Sequence, residues 1–535
     1  MSSVDRRNFL KTTLGGCLGL AAGVPFSRAA VGPGGDERPN IIVILADDMG
    51  FSDLGCYGSE IRTPNLDRMG AEGVRFRWMY NCARCCPTRA SLLTGLYPPQ
   101  NGIGYMWKDF GAPGYQGYLN ENCVTIAEVL REAGYATWMS GKWHVGRDAE
   151  HWPRQRGFEK FYGLIGGAAR YWGTKGGLWV DGDQRFRPGK SFYATDAFTD
   201  RAVQFLDEHD GQRPFFLYLA YTAPHWPLHA WQEDIRRYRE RYREGWHVLR
   251  RERWRRMIDM GIVRERWGLP APRPDTTPWS ASDPRSWEEI GDQEEWALRM
   301  AVYAAMIDRM DQGIGRVMRK LREMGAEQNT LVLFLSDNGA GSERREKSEP
   351  GVKTGQPGSF VAYGPDWAAA GNTPLRRYKR WVDEGGIATP LIAYWPTVIP
   401  DGGTWSDEVS HVIDIMATCI DAAGADYPER YEGRDITPLE GRSLLPVLRG
   451  NRRAGHKILG WSHEGHYALR KGRWKLVFDE REHAELFDLV ADRTETTDLS
   501  ARYPEKVAEL LKQFDAWADR VGVVPFHELP RVKNP

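Results

Sequence analysis

Three things are scarce in this sequence, and each scarcity removes a class of protein. Seven cysteines in 535 residues are too few to build the disulfide scaffold of small secreted domains. Basic excess is missing as well, because 72 Lys and Arg stand against 72 Asp and Glu. Nucleic-acid binders need such an excess, so any anionic partner must be met by local charges. Beyond the N-terminal segment no apolar run is long enough to cross a bilayer. No internal repeat and no low-complexity tract is present, which argues against solenoid, collagen-like and disordered architectures. What remains, at 41% hydrophobic and 27% charged residues with 22 Trp, is an aromatic-rich globular chain. Its length points to one large core with an appended subdomain.

The N-terminus carries Arg6-Arg7-Asn8-Phe9-Leu10-Lys11, a weakly apolar Ala/Gly/Leu stretch to Pro25, and small residues to Ala29 and Ala30. Paired arginines, a short apolar region and a small-residue end form a twin-arginine export signal over residues 1–30, cleaved near Ala29 or Ala30. Leu14-Gly15-Gly16-Cys17 leaves too little apolar sequence before the cysteine for a lipoprotein site. The expectation is a soluble protein, periplasmic or secreted, without a stable membrane span, delivered by the twin-arginine translocase.

Four segments share one grammar. Asn40 is followed by a continuous run of β-branched and aliphatic residues to Leu45, leading to Ala46-Asp47-Asp48-Met49-Gly50, and Thr330 to Leu335 leads to Ser336-Asp337-Asn338-Gly339. Ala136 to Ser140 runs into Gly141-Lys142-Trp143-His144, and Pro214 to Ala220 into Thr222-Ala-Pro-His225-Trp-Pro227. Apolar runs without alternation read as strands buried on both faces of a parallel sheet. In open α/β sheets ligands bind at the carboxyl ends of the strands, so four strands that end in charged or imidazole groups predict one shared site. Helical patterns at Val124–Ala133, Trp296–Met324 and Val409–Ala423 lie between the strands. The fold class is α/β, a large mostly parallel sheet sandwiched by helices.

Two regions depart from this grammar. Residues 231 to 267 are crowded with arginine while Ile235, Tyr238, Tyr242, Trp246, Leu249, Trp254 and Met257 recur near helical spacing. They read as an amphipathic helical insertion, about 231–295, whose arginines are solvated, with contact to a sulfated polymer as the alternative. Near Gly450 the pattern changes to short alternating strands at Tyr467–Arg470, Trp474–Phe478 and Glu485–Leu489, followed by a helix from Pro504 to Val521. The expected organisation is a main domain over 36–450 and a small antiparallel α+β subdomain over 451–535.

Asp47, Asp48, Asp337 and Asn338 bring oxygen donors from two strand ends. Three carboxylates drawn together repel unless a cation neutralises them, and all-oxygen coordination favours a hard ion, Ca2+ or Mg2+, over zinc. The alternative for each pair is helix capping or turn formation. Cys82, Cys85 and Cys86 fall within five positions, yet no second ligand pair for structural zinc lies within reach, and a thioredoxin-like pair belongs to a smaller βαβ fold. Cys85 to Gly95 reads instead as a helix start, with Cys85 as cap, Pro87 in the first turn and Gly95 as terminator. Arg89, four residues on, shares the face of Cys85. A reactive group at 85 would face free backbone N–H groups, a helix dipole and a guanidinium, which suits a tetrahedral oxyanion.

Cys85-x-Pro87-x-Arg89 with Leu93-Thr94-Gly95 resembles the signature of the type I, arylsulfatase-like sulfatases of the alkaline phosphatase-like superfamily. The other motifs follow in the family's order: Asp47-Asp48-x-Gly50, Gly141-Lys142-Trp143-His144, Pro224-His225-Trp226-Pro227, Ser336-Asp337-Asn338-Gly339, and Thr373 to Lys379 leading to Glu384-Gly385-Gly386. The resemblance spans about Arg38 to Val521. It implies hydrolysis of an aryl or carbohydrate sulfate ester, with Cys85 oxidised to Cα-formylglycine by a formylglycine-generating maturation enzyme. By the same resemblance, a hydroxyl of the hydrated aldehyde attacks sulfur to give a covalent sulfo-enzyme, and the second hydroxyl re-forms the carbonyl and expels sulfate. Asp47, Asp48, Asp337 and Asn338 would bind calcium, with magnesium as the alternative, and Arg89 would steady the aldehyde hydrate. His144 would take the diol proton, while Lys142, Lys379 and His225 hold sulfate oxygens and assist the leaving group.

Two positions depart from the family pattern. Thr88 stands where Ser is common, and Cys86 is a second cysteine beside the first. Only Cys85 has proline two and arginine four residues on, so conversion is assigned to Cys85, while Cys82 or Cys86 is left open to bridge another thiol. Export in the folded state would let modification and metal binding finish first. The rival readings are a formylglycine-dependent phosphodiester or phosphonate hydrolase of the same superfamily and, from another class, a non-catalytic binder of sulfated glycans that uses the arginine-rich insertion.

Overall fold

The computed structural model describes residues 38–173, 176–274, 284–479 and 483–530. The twin-arginine segment lies outside them. The run from Asn40 to Asp47 is the strand on which the rest is organised. Ile42, Ile44 and Ala46 pack into one hydrophobic core and Ile41, Val43 and Leu45 into another on the opposite face. Side chains alternate across a strand, so a strand covered by helices on both faces shows no polar positions.

Its neighbours are Thr330–Ser336 on one side and Phe215–Pro224 on the other, both parallel, and beyond the latter lie Ala136–Lys142 and Lys160–Leu164, also parallel. The far side turns antiparallel through Ala388–Tyr394, which pairs with both Thr330–Ser336 and Val74–Tyr80. The strands run further than the apolar runs alone predict. Asp47 and Lys142 are each the last residue of a strand, because the ladders continue with Ala46 opposite Ser336, Asp47 opposite Pro224 and Gly141 opposite Ala220. These registers bring the four motif-bearing ends to one level. Gly141 permits this: its φ is +125°, and a Cβ there would stand 1.9 Å from the Ala220 carbonyl oxygen.

Among the flanking helices, Gln293–Glu323 is the longest at 31 residues, about 46 Å at 1.5 Å per residue. It starts three residues earlier than the apolar spacing predicts, capped by the Asp292 side chain, which accepts from the Glu295 N–H. The helix expected from Val409 starts at Ile413 instead. Ser410–His411 ahead of it forms a short parallel strand on Val74–Tyr80.

The insertion contains a helix, Gly245–Asp259, but its arginines are not uniformly solvated as expected. Arg253 is fully buried and Arg250 nearly so. Arg253 Nη1 lies 2.6 Å from Asp53 Oδ1 and its Nε 2.9 Å from Glu60 Oε2, so this face of the helix packs inward on ion pairs.

After Gly450 comes a four-stranded antiparallel sheet of Leu459–His463, His466–Lys471, Trp474–Asp479 and His483–Asp488. The helix Pro504–Val521 lays Leu510, Phe514 and Trp517 on Leu469, Leu476 and Leu486. Fully buried Lys475 and Arg493 from this region both meet Glu384, each at 3.1 Å, and Arg376 reaches Glu485 at 2.8 Å. Among the described residues no helix is long and apolar enough to cross a membrane.

Candidate active site

Backbone strain gathers where the strands end. Asp48, Ala83, His144, Arg377 and Arg380 all have φ between 62° and 83°, in the left-handed region that non-glycine residues avoid. Such residues persist only where the surroundings over-determine them, and they cluster at functional sites. Gly339, which follows Asn338, lets two loops touch: a Cβ there would lie 1.9 Å from the Gly385 carbonyl oxygen.

Asp47, Asp337 and Asn338 are fully buried and Asp48 is 2% exposed. Each carboxylate has a cationic neighbour. Lys142 Nζ stands 2.6 Å from Asp47 Oδ2, Lys379 Nζ 2.7 Å from Asp48 Oδ2, and Arg89 Nη2 2.8 Å from Asp337 Oδ2. Asn338 Nδ2 donates to Asp48 Oδ1 at 2.8 Å, and the Asp48 N–H donates to Asp337 Oδ1 at 3.1 Å. Even so, Asp47 Oδ1 and Asn338 Oδ1 are buried without a hydrogen-bond partner. Burial pushes the Asp47 carboxyl above its ordinary range against the pull of Lys142 and Arg89. Asp337 is raised to about 8 by burial and by the neighbouring Asp47 charge. Oxygen donors this crowded, two of them unsatisfied, fit a hard divalent cation.

Cys85 opens the helix Cys85–Thr94, which ends on Gly95 at φ 68°. The cap is Arg84, and Cys85 is the first helical residue rather than the cap expected from sequence. The Cys85 thiol is held well below the ordinary thiol range, by hydrogen bonding with Cys86 and, against burial, by the charge of Lys142. Arg89 does not simply face Cys85. Its Nε donates to Asp337 Oδ2 at 2.9 Å and its Nη1 to the Lys142 carbonyl at 3.1 Å, so it ties the helix to two strand ends. His144 Nε2 lies 3.1 Å from Cys86 Sγ, which gives the second cysteine a specific partner. Burial lowers the His144 pKa to about 4, so its imidazole is neutral at physiological pH. The six described cysteines are all free thiols, so neither Cys82 nor Cys86 bridges another described cysteine.

Lys379 also meets Glu343 Oε1 at 3.1 Å. Burial opposes its charge, but Asp48 and Glu343 hold its pKa above the usual lysine range. His225 Nε2 is 3.5 Å from Asp48 Oδ2 and its Nδ1 is 2.5 Å from the Trp226 carbonyl; burial lowers its pKa. Cys85, His144, His225 and Lys379 open onto one cavity of about 560 Å³, walled by Trp107, Ile165, Leu178 and Trp226. Lys142 and Arg89 lie beneath it at 0% exposure.

Sequence reasoning missed a supporting tier. Asp53 Oδ2 accepts from the Gly50 N–H at 2.8 Å and from Tyr303 Oη at 2.7 Å, while Arg253 grips its other oxygen. The insertion helix therefore braces the loop after Asp48. Glu343, Arg84 and Arg380 on the cavity wall were also missed. Asp53 and Glu343 each follow a motif by a few residues, a signal that was available; nothing in sequence marks Arg253.

The family model described as Sulfatase matches residues 39–425, and the one described as N-sulphoglucosamine sulphohydrolase, C-terminal, matches residues 377–518. An uncharacterised sulfatase of Schizosaccharomyces pombe is 35% identical, covering 91% of this chain and 95% of its own. An arylsulfatase of Klebsiella aerogenes is 34% identical over 77% of this chain and 92% of its own. The crystal structure of Ps i-CgsB in complex with k-i-k-neocarrahexaose superposes with a TM-score of 0.65 at 26% identity, covering 90% of this chain and 93% of that one. With the family model spanning more than half of its residues and two relatives aligned along 91% and 77% of it, the chain belongs to the type I sulfatases and is a sulfuric ester hydrolase.

Proposed function

We propose that the chain cleaves a sulfate ester to an alcohol and inorganic sulfate with residue 85 carried as Cα-formylglycine and one divalent cation, Ca2+ or Mg2+, held by Asp47, Asp48, Asp337 and Asn338. The observation that carries this reading is a buried all-oxygen donor set with two unsatisfied oxygens beside a cysteine at a helix start on the cavity wall. The cation would supply Lewis-acid polarisation of a sulfate oxygen and relieve the repulsion among the carboxylates. Formylglycine would supply a hydrated aldehyde, one hydroxyl to take the sulfuryl group and the other to release it.

The remaining roles fall to side chains whose positions are described. His144, neutral at Nε2, accepts a proton from the group at residue 85. Lys379 presents a charge kept cationic by Asp48 and Glu343, suited to developing negative charge on sulfate oxygens. His225 gives its Nδ1–H to the Trp226 carbonyl, so it carries a proton on Nε2 only as the imidazolium, a form that Asp48 favours against burial; that form yields the Nε2 proton to the leaving oxygen and is left neutral. Lys142 and Arg89 set the carboxylates from below. The aromatic and aliphatic side chains among the lining, Trp107, Ile165, Leu178 and Trp226, fit an aryl or sugar leaving group.

The same reading includes a formylglycine-generating maturation enzyme, twin-arginine export of residues 1–30, a periplasmic or secreted location, a catalytic domain over 36–450 and a C-terminal subdomain over 451–535. Peptide mass spectrometry across residues 85–89 tests the central step: the mass loss of thiol-to-aldehyde conversion at Cys85 is expected, and an intact thiol in active enzyme would overturn it. Paired assays on an aryl sulfate and an aryl phosphate diester decide between the rivals. A larger kcat/KM on the diester would favour the phosphodiester hydrolase.

A further inference from the structure

Two arginines without a role in the chemistry above line the cavity next to Cys85 and Lys379. They are Arg84 and Arg380. The Arg380 N–H donates to the Ala83 carbonyl at 2.9 Å, which joins the two loops, and both side chains line the same cavity. Both ends of that contact are strained, with φ of 63° at Ala83 and 83° at Arg380. The Arg84 side chain is 11% exposed, yet its Nε and Nη1 are buried without a hydrogen-bond partner. Its ion-pair partner Glu464 stands at 3.6 Å, outside hydrogen-bond reach. Arg380 is 6% exposed, and its Nη2 is 3.9 Å from Glu343, whose Oε1 is taken by Lys379 at 3.1 Å.

Two like charges on one poorly exposed wall repel each other, and the buried Arg84 donors left unmade are costly. Burial and the Arg84 charge lower the pKa of Arg380 against the pull of Glu343 and Glu464. The cavity wall as a whole carries Arg84, Arg147, Arg345, Lys379 and Arg380 against the single carboxylate Glu343. A sulfate monoester brings one negative charge, and Lys379 is already placed to meet it. Glu343 and Glu464 oppose part of the remaining charge, and a singly charged substrate held by Lys379 still leaves the Arg84 Nε and Nη1 donors unmet.

We infer that Arg84 and Arg380 form a second anion subsite, one that takes a carboxylate or second sulfate carried by the leaving group, so that the substrate is a dianionic sulfate ester. This rests on the sulfatase reading and adds the class of substrate to it. A planar guanidinium fork accepts a carboxylate or sulfate through paired N–H donors, which would satisfy the Arg84 atoms now without partners.

The test uses full-length, metal-loaded enzyme, R84Q and R380Q, each checked by mass spectrometry for conversion at Cys85. The probes are phenyl sulfate and the ortho-, meta- and para-carboxyphenyl sulfates. At least one carboxylated isomer is expected to exceed phenyl sulfate in kcat/KM. That preference should fall by about tenfold or more in each variant, the size expected for a lost charge-assisted hydrogen bond. The ratio to phenyl sulfate cancels any shared effect on folding or maturation. A wild type that favours no carboxylated isomer would overturn the subsite. Equal losses on phenyl and carboxyphenyl sulfates would overturn it too, because the arginines would then be holding the scissile sulfate itself. Inactivity of the converted wild type on all four esters and on a panel of sugar sulfates would instead bring down the proposed mechanism, and this subsite with it.

Discussion

In the proposed mechanism His144 acts as a base, and burial, the largest influence on it, removes its charge. Its pKa of about 4 lies below the ordinary 6.5, so the neutral form is present above pH 4 and lost only as pH falls through it. The acidic limb of kcat/KM assigned to this group is therefore expected near pH 4; a limb at 6.5 or above would mean that another group limits the rate. His144→Ala should lower kcat by ~10²- to 10⁴-fold, the usual weight of general acid–base catalysis. Cys86 has a separate part, since its sulfur touches His144 at 3.1 Å. Cys86→Ser should leave conversion at residue 85 intact by mass spectrometry, whereas Cys85→Ala should abolish both conversion and turnover. Conversion lost in the Cys86 variant would reassign the modified residue.

At the level of elements, the insertion helix Gly245–Asp259 is coupled to the Asp48 loop through one side chain. Arg253 neutralises Asp53 and Glu60 at full burial, and it holds the Glu60 carboxyl down to about 2. Removing one partner of such a pair leaves uncompensated buried charge, an effect of about 3–5 kcal/mol. Arg253→Met is therefore expected to lower unfolding stability by that order in denaturant melts and to weaken metal binding, read by calorimetry. Because Asp53 also orients Gly50, a stability loss with unchanged metal affinity would separate the two roles.

For the whole molecule, acid sensitivity has an identifiable source away from the chemistry. His229 is fully buried; its Nδ1 accepts from the Tyr171 N–H at 3.3 Å and its Nε2 donates to the Ser359 carbonyl at 2.8 Å. Burial brings its pKa to about 4. A histidine depressed in the folded state adds stability that is complete above its unfolded value of 6.5 and is lost as pH falls toward 4. The shift corresponds to about 3 kcal/mol. His411, lowered to about 3 by burial, acts with the same sign. Melting temperature should fall over that window, and His229→Gln should flatten part of the decline. The carboxylates beneath the cavity give a second global readout. Ca2+ at one hundred times its Kd should stabilise the fold by about 2.7 kcal/mol, and chelation should reverse both that gain and activity.

Much of this was readable in order along the chain, because the information is local. An apolar run from Ile41 to Leu45 requires a doubly covered strand, Asp47 and Asp48 end it, and Cys85, Pro87 and Arg89 stand at offsets that a helix start turns into one face. The Pro504–Val521 helix is likewise written in its own periodicity. What sequence could not decide was who meets whom. Arg89 closes on Asp337 rather than simply facing Cys85, Arg253 leaves solvent for Asp53, and Arg84 comes beside Arg380 across nearly three hundred residues. These pairings depend on strand register and on where a loop folds back, and Coulomb energy acts through distance in space, which spacing along the chain does not record. Residue types and local offsets thus settled the fold class and the candidate chemistry. The partners of each charge, the left-handed turns that aim them and the cationic excess of the cavity belong to the tertiary structure.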